Sequence, residues 1–422
     1  MGARHTIAGI LLFSSILASL GSVFFTFTAF PAGAMQLIAV VLLWDKVPTS
    51  VRRSCFFIIA LSSLFYWWGN VSFAILISAF SKNHSIIAML AAVGFLRIIA
   101  VPDINNCSAT GRKAFWRTVF GVHWLGAVLN VSAIILLGDR MVSDGHRLGS
   151  TQCLLLTRGF ALAALWSPFF VAMGVALTNA PGSNIWPLVL WGLPLSQLLL
   201  IILAWRMSSS VVGACSFSGY PITLESLCTP TVLILMVVIA HLFVPNTPIV
   251  SLITFIVPLY VFLACYQKVG SRAFVKYVCH DLPQMQSELA LFIAAGILGT
   301  GINSIINRLS LQFIGSSHEV VIVWVGLAVI ILFAAVGVHP VISIAAGGAV
   351  LAPSGISPNL LAMSFLMGWT LGVLINPISG IHLLISGRYG FLGRQVWRSN
   401  SLWVFCGYVV CCGWLTIFDY YS

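Results

Sequence analysis

The sequence has little charge and few acidic residues. Only 7% of its 422 residues are Asp, Glu, Lys or Arg, whereas an average soluble domain carries about 25%. Hydrophobic residues make up 60% of the chain. This composition excludes a soluble globular protein and a disordered one. At ~20 apolar residues per span, it predicts an all-α polytopic membrane protein of about 10–13 helices, re-entrant segments included.

Carboxylates are missing from the middle of every apolar run. A proton relay of carboxylates and a membrane enzyme with a paired-Asp metal site are therefore excluded. Any coupling cation would bind carbonyl, Ser, Thr and Asn oxygens, which favours Na⁺ but leaves H⁺ open. The nine acidic residues lie in connectors or near run ends: Asp45, Asp103, Asp139, Asp144, Glu225, Asp281, Glu288, Glu319 and Asp419.

Metal and nucleic-acid partners have no support in the sequence either. The ten cysteines form no CxxC pair and no Cys/His ligand spacing, so we expect no metal and no cofactor. The net charge of +11 comes from basic residues that cluster at the ends of apolar runs. Membrane orientation explains these clusters, and no nucleic-acid partner is predicted.

The apolar runs divide into five consecutive regions. We expect N-terminal membrane helices at 1–55, a first repeat at 56–206, connecting helices at 207–285, a second repeat core at 286–390 and a C-terminal helix at 391–422. Within the first repeat, a polar connector at 81–85 separates two apolar runs. In the second repeat, the run 339–353 is too short for a full span and is bounded by prolines, which predicts a re-entrant element.

An internal repeat is the most informative feature. Gly159–Pro168 matches Gly368–Pro377 without a gap: the glycine, both leucines and the proline coincide. Upstream, Gly-Val-His recurs in the same order and ends at His123 and at His339. Chance is the alternative, because Leu and Gly are abundant in membrane proteins. Counting spans so that the basic clusters are cytoplasmic predicts that the two repeats have inverted topology.

Each repeat motif ends in a polar residue followed by proline, Ser167-Pro168 and Asn376-Pro377. Proline removes a backbone hydrogen bond and clashes with the preceding turn, so it leaves peptide groups without partners in a medium that supplies none. Such backbone is stable only where it faces protein, water, an ion or a solute. Two helices broken in this way predict the midplane site of a secondary transporter.

Other residues are weaker candidates for the site. Arg158 directly precedes the first motif, where it could contact an anionic solute or snorkel to the interface. His123 and His339 hold equivalent repeat positions and are equally compatible with proton coupling and with structural bonds. The segment 299–304 predicts an ion-ligating bend, with close helix packing as the alternative. Its polar members are Thr300, Asn303 and Ser304.

The stretch 337–390 resembles the C-terminal half of the ion-transporter superfamily, which includes citrate, dicarboxylate and arsenite permeases. The resemblance rests on Gly-Val-His-Pro, on Ala352–Pro358, on Gly368-Trp369 and on Asn376–Gly380. It implies two inverted repeats, each with a re-entrant hairpin and a broken helix, and transport of anions with Na⁺ or H⁺. It also implies that Asn376, Pro377, Ser379 and the segment 299–304 lie near the transport site.

These observations together predict a cation-coupled secondary transporter of a small anion, preferably a carboxylate, in a bacterial cytoplasmic membrane. The expected partners are the anionic solute and membrane lipid, and a homodimer is left open. We expect no enzymatic activity. The principal alternative is a membrane-embedded enzyme or assembly factor for lipid-linked glycans, although the longest loops carry no paired-carboxylate or nucleophile-base signature. A structural subunit of a larger membrane complex is a third possibility.

Overall fold

A computed structural model of the chain confirms that it is an all-α polytopic membrane protein. The structure describes residues 2–99, 109–142, 148–210, 217–219, 224–268, 271–309, 319–390 and 393–421. Within these ranges the strands are limited to β1 (Ala109–Thr110) and β2 (Ser218–Gly219), which pair antiparallel. Everything else that is regular is helical.

The α-helices vary from six to 29 residues in length. They are α1 (Ala3–Gly21), α2 (Ala29–Leu42), α3 (Thr49–Gly69), α4 (Phe73–Ser81), α5 (His84–Gly94), α6 (Gly111–Leu129), α7 (Val131–Val142), α8 (Ser150–Ala161), α9 (Val171–Asn179), α10 (Ile185–Ser210), α11 (Leu224–Phe243), α12 (Ile249–Lys268), α13 (Ser271–Lys276), α14 (Gln286–Leu309), α15 (Glu319–Ala335), α16 (Pro340–Leu351), α17 (Pro358–Ile375), α18 (Gly380–Tyr389) and α19 (Gly393–Tyr421).

Six helical stretches of the described chain are long and apolar enough to cross a membrane. They are Ala3–Gly21, Phe73–Ile98, Ile185–Ser208, Arg272–Leu309, Pro358–Tyr389 and Trp397–Tyr421. Large apolar side chains are exposed on many helices, as at Trp67, Leu190 and Phe405. In water such exposure would be costly, but lipid tails solvate these side chains.

The chain forms two compact units that are interleaved along the sequence. The first unit comprises Met1–Val101, Leu233–Gly315 and Val341–Ile356. The second comprises Pro102–Val232, Ser316–Pro340 and Ser357–Ser422. The five consecutive regions expected from the sequence remain a prediction.

In the first unit, α14 packs against α2, α3 and α4, while α1 packs against α2, α5 and α12. The predicted bend at 299–304 is wrong, because α14 continues as a regular helix through it. The alternative, close packing, is what the glycines serve there: a Cβ at Gly301 would lie 3.3 Å from Cβ of Phe65 on α3.

The predicted connector at 81–85 contains a break between two helices. It lies inside the apolar stretch Phe73–Ile98, between the end of α4 and the start of α5. Four consecutive polar residues, Ser81 to His84, are therefore placed within a candidate span. Two of them, Asn83 and His84, form hydrogen bonds with residues of α1, α2 and α14.

The second unit is built around α17. Every residue of this helix from Leu360 to Ile375 is buried. Around it pack α15, α19, α8, α9, α10 and the 3₁₀ turn Leu162–Leu165. Because α17 carries the second repeat motif, and α8 with its 3₁₀ turn carries the first, the two motifs contact one another within a single unit.

Candidate functional site

The first proline break interrupts the helix between α8 and α9. The 3₁₀ turn that follows α8 ends at Leu165, and helical structure resumes only at Val171. The backbone N–H of Ser167 still donates to the carbonyl of Ala163 at 3.0 Å. Pro168, however, has no N–H for the carbonyl four residues before it. Ser167 is 1% exposed, so this break lies inside the protein.

The second proline break separates α17 from α18. Asn376 adopts an extended conformation, as expected before proline. Its side-chain Oδ1 accepts from the N–H of Ile378 at 2.9 Å. In a continuous helix that N–H would donate to the Leu374 carbonyl, which instead accepts from Nδ2 of Asn400 at 3.2 Å. Ser379 then begins α18 as its N-cap and accepts from the His382 N–H.

The two polar residues that precede proline make corresponding bonds in the two repeats. Oγ of Ser167 donates to the carbonyl of Ala127, 40 residues upstream near the end of α6. Nδ2 of Asn376 donates at 2.9 Å to the carbonyl of Val338, 38 residues upstream in the turn after α15. Each break is thus joined to the chain at or near the Gly-Val-His motif of its own repeat. This correspondence extends the sequence repeat into three dimensions.

The histidines differ more than their equivalent positions predict. His123 lies within α6, whereas His339 lies between α15 and α16. Both nevertheless contact the repeat motif: Nδ1 of His123 is 3.2 Å from the carbonyl of Gly159, and the His339 ring is 5.4 Å from the Trp369 ring. Because Gly159 aligns with Gly368, each histidine supports its own broken helix at a matching point.

Nε2 of His123 is also fully engaged, because it accepts from Nε1 of Trp166 at 3.0 Å and faces the Gln197 amide nitrogen at 3.0 Å. An added proton on Nε2 would face two donors. These contacts favour a structural role for His123 over proton coupling.

Arg158 has protein partners instead of an open position. Its Nε donates to Oδ1 of Asn400 at 2.8 Å, and its guanidinium also reaches the Ser399 carbonyl at 2.7 Å. The guanidinium carbon lies 5.1 Å from the centre of the Trp403 ring. Since Asn400 also donates to the Leu374 carbonyl, Arg158 connects α8 to the second break through α19. These contacts favour a structural role over the predicted contact with solute.

Two buried polar atoms beside the breaks have no hydrogen-bond partner in the described part of the chain: Nδ2 of Asn130 and Nε2 of His382. Asn130 joins α6 to α7 with φ 56° and ψ −142°, three residues after the carbonyl that Ser167 contacts. Nδ1 of His382 is 2.6 Å from the Asn376 carbonyl, so Nδ1 carries a proton and Nε2 is an acceptor. His382 was not among the predicted site residues, although a histidine five residues after Pro377 was a usable signal.

The remaining predicted ligands lie in the first unit, on α14. The hydroxyl of Thr300 donates to the carbonyl of Gly296 at 2.9 Å, and that of Ser304 donates to the carbonyl of Thr300 at 2.9 Å. Asn303 is half-buried on the same helix. Both hydroxyls are therefore directed back onto their own helix.

Comparisons with known proteins give a structural likeness. No family model matches it, and no curated protein matches it. Among solved structures it is similar to the YdaH transporter of Alcanivorax borkumensis, described as having an unusual topology, at 16% identity and a TM-score of 0.49. The match covers 88% of this chain and 99% of that one. At this level the likeness establishes neither family nor substrate.

Proposed function

We propose that the chain is a secondary active transporter of a small carboxylate anion, coupled to a cation. One observation carries the proposal: two proline-broken helices pack together inside one unit, and each break is accompanied by a buried polar atom with no partner in the described chain. Unpaired polar groups are costly in a membrane interior, and they are usual where a solute completes the bonding.

The available groups suit a carboxylate. Such a solute only accepts hydrogen bonds when ionised, and the Asn130 amide is a buried donor without an acceptor. The peptide groups between Trp166 and Phe170, and those around Asn376, supply further dipoles at the breaks. Ser167 and Asn376 shape these segments through their own bonds, so we assign them positioning roles.

Two coupling cations are compatible with this site. A proton would bind Nε2 of His382, the buried acceptor beside the second break. A sodium ion would instead take carbonyl oxygens that the broken helices release. The resemblance of 337–390 to citrate and dicarboxylate permeases supports either cation. Inverted repeats, a bacterial cytoplasmic membrane and a homodimer are part of the same proposal.

Uptake of radiolabelled carboxylates into proteoliposomes, driven by a proton or a sodium gradient, tests the function. His382→Asn keeps a donor near the position of Nδ1 but removes Nε2, whereas His382→Gln places an amide near Nε2. If the proton is the coupling ion, His382→Asn should reduce proton-driven uptake at least about ten-fold while counterflow exchange persists, because exchange needs no net proton movement.

Asn359→Ala, at the other end of α17, is the matched control and should transport like the wild type. Wild-type vesicles that take up no carboxylate under either gradient would remove the proposed function. Uptake that depends on sodium and is unchanged in His382→Asn would exclude the proton as the coupling ion and leave the proposed transport function in place.

A further inference from the structure

Lys82 places a positive charge in the middle of an apolar stretch of the first unit. It is the tenth residue of Phe73–Ile98, so about 14 Å of helix separate it from the start of that stretch. A stretch of this length can span the ~30 Å hydrocarbon core of a bilayer, and Lys82 then lies away from both of its ends. The side chain is half-buried.

The polar neighbours of Lys82 are engaged with other helices. Nδ2 of Asn83 donates to the Phe292 carbonyl on α14 at 2.8 Å. Nδ1 of His84 is 2.9 Å from Oγ of Ser19 on α1, and the His84 carbonyl accepts from Gln36 at 3.0 Å. Lys82 differs from them, since its ammonium has no hydrogen-bond or ion-pair partner among the residues that the structure describes.

No acidic residue of this unit neutralises the ammonium. The unit contains three, Asp45, Asp281 and Glu288, and none forms an ion pair with Lys82 in the described chain. Glu288 is on α14, but it lies about 16 Å along that helix from the glycine beside the ammonium. The end of α4 is the other favourable element, because a helix C-terminus attracts cations. That attraction offsets only part of the cost of a charge at this depth.

On the side of α14, glycines lie beside Lys82. A Cβ at Gly299 would lie 3.2 Å from Nζ of Lys82 and 3.4 Å from the carbonyl of Ala345 on α16. One turn earlier, a Cβ at Gly296 would lie 3.5 Å from Cβ of Lys82. Two glycines thus leave the ammonium room on the side of α14 and bring no competing group to it.

From this geometry we propose that Lys82 binds the carboxylate of the transported solute at a site of its own in the first unit, separate from the site proposed at the proline breaks of the second unit. The proposal rests on the proposed function for its solute. A single ammonium balances a single negative charge, so the expected solute is a monocarboxylate or one carboxylate of a larger anion. Intramembrane cations that lack a carboxylate partner commonly mark such ligands.

Proteoliposome uptake of carboxylates and of their neutral amides tests the assignment. Lys82→Met should raise KM for the carboxylate about ten-fold or more, because it removes a charge-assisted hydrogen bond, and should narrow the preference for acid over amide. Lys82→Arg should retain most uptake. Lys46→Met, at an exposed position of the same unit, should leave KM unchanged.

The outcomes separate this inference from the proposed function. If Lys82→Met takes up carboxylate with the wild-type KM and the wild-type preference for the acid over its amide, the role of Lys82 is overturned and the proposed transport function is unaffected. A wild type that moves no carboxylate would overturn both. If Lys82→Met aggregates, the same measurements on Lys82→Gln decide, since glutamine keeps a polar side chain without the charge.

Discussion

Asn130 joins α6 to α7 in a backbone conformation that glycine would adopt more easily. Its φ of 56° and ψ of −142° lie near a region that is almost restricted to glycine. Holding a side chain there costs about 1–3 kcal/mol. Glycine would remove that strain but lose about 0.5–1 kcal/mol of chain entropy. Asn130→Gly should therefore stabilise the fold by up to about 2.5 kcal/mol.

The same substitution deletes the unpartnered amide beside the first break. If that amide binds the solute, uptake should fall about ten-fold or more while the thermal midpoint rises. Unfolding of the purified protein in detergent and uptake in proteoliposomes measure the two effects on one preparation. Higher stability with lower transport would indicate that the strained asparagine is kept for function.

Asn70→Gly provides the matched control. Asn70 is the other non-glycine residue with positive φ in the described chain, but its φ and ψ are both 51°, where asparagine is readily accommodated. It is exposed at the end of α3. This variant should change stability by less than about 0.5 kcal/mol and leave uptake intact.

Two results for Asn130→Gly would contradict the reasoning. Undiminished uptake would show that the amide does not bind the solute, and a lower thermal midpoint would show that the backbone of Asn130 is not strained.

Two further predictions concern how the broken helices are held. Gly192→Ala should lower the free energy of unfolding by about 1–3 kcal/mol, because the new Cβ would clash with the Leu165 carbonyl at the first break, and a backbone atom cannot move aside as a side chain can. Gly413→Ala is the control: nothing lies within 4 Å of its added Cβ, so this variant should be as stable as the wild type or more stable. Arg158→Lys should lower the free energy of unfolding by about 1.5–3 kcal/mol, because a lysine can keep only one of the two hydrogen bonds that the guanidinium donates. In a double-mutant cycle with Asn400→Ala the two effects should be non-additive, whereas additivity would exclude the bridge.

The breaks at Pro168 and Pro377 could be predicted because their cause is local. A missing N–H and a ring clash act on the residues immediately before proline. Since α10, α11 and α12 continue through Pro194, Pro230 and Pro258, the recurrence of the motif was also needed to single out these two prolines. The matching sequences also predicted a transport site at the two broken helices; the helices pack together, and the site stays a prediction. Their orientation relative to the membrane was not established by the same reasoning and stays a prediction.

The segment 299–304 shows where local reasoning fails. Its glycines and hydroxyls favour a bend in isolation, but the hydroxyls of Thr300 and Ser304 bond to carbonyls of their own helix. Gly301 then allows α14 to approach α3. Lys82 and His382 were missed for a related reason. Each was singled out because a polar group of its side chain has no partner in the described part of the chain, and only the folded structure shows which partners are missing.

The interleaved first unit imposes an order on biosynthesis. Gly9 on α1 is in direct contact with the carbonyl of Val278, and α1 also packs against α12. Roughly 270 residues separate these partners, so ribosomes working at about 5–20 residues per second deliver the second roughly 15–50 s after the first. During that interval the partners available to α1 are earlier elements such as α2 and α5. After its insertion, the surface of α1 around Gly9 therefore remains without these partners until the later helices are synthesised.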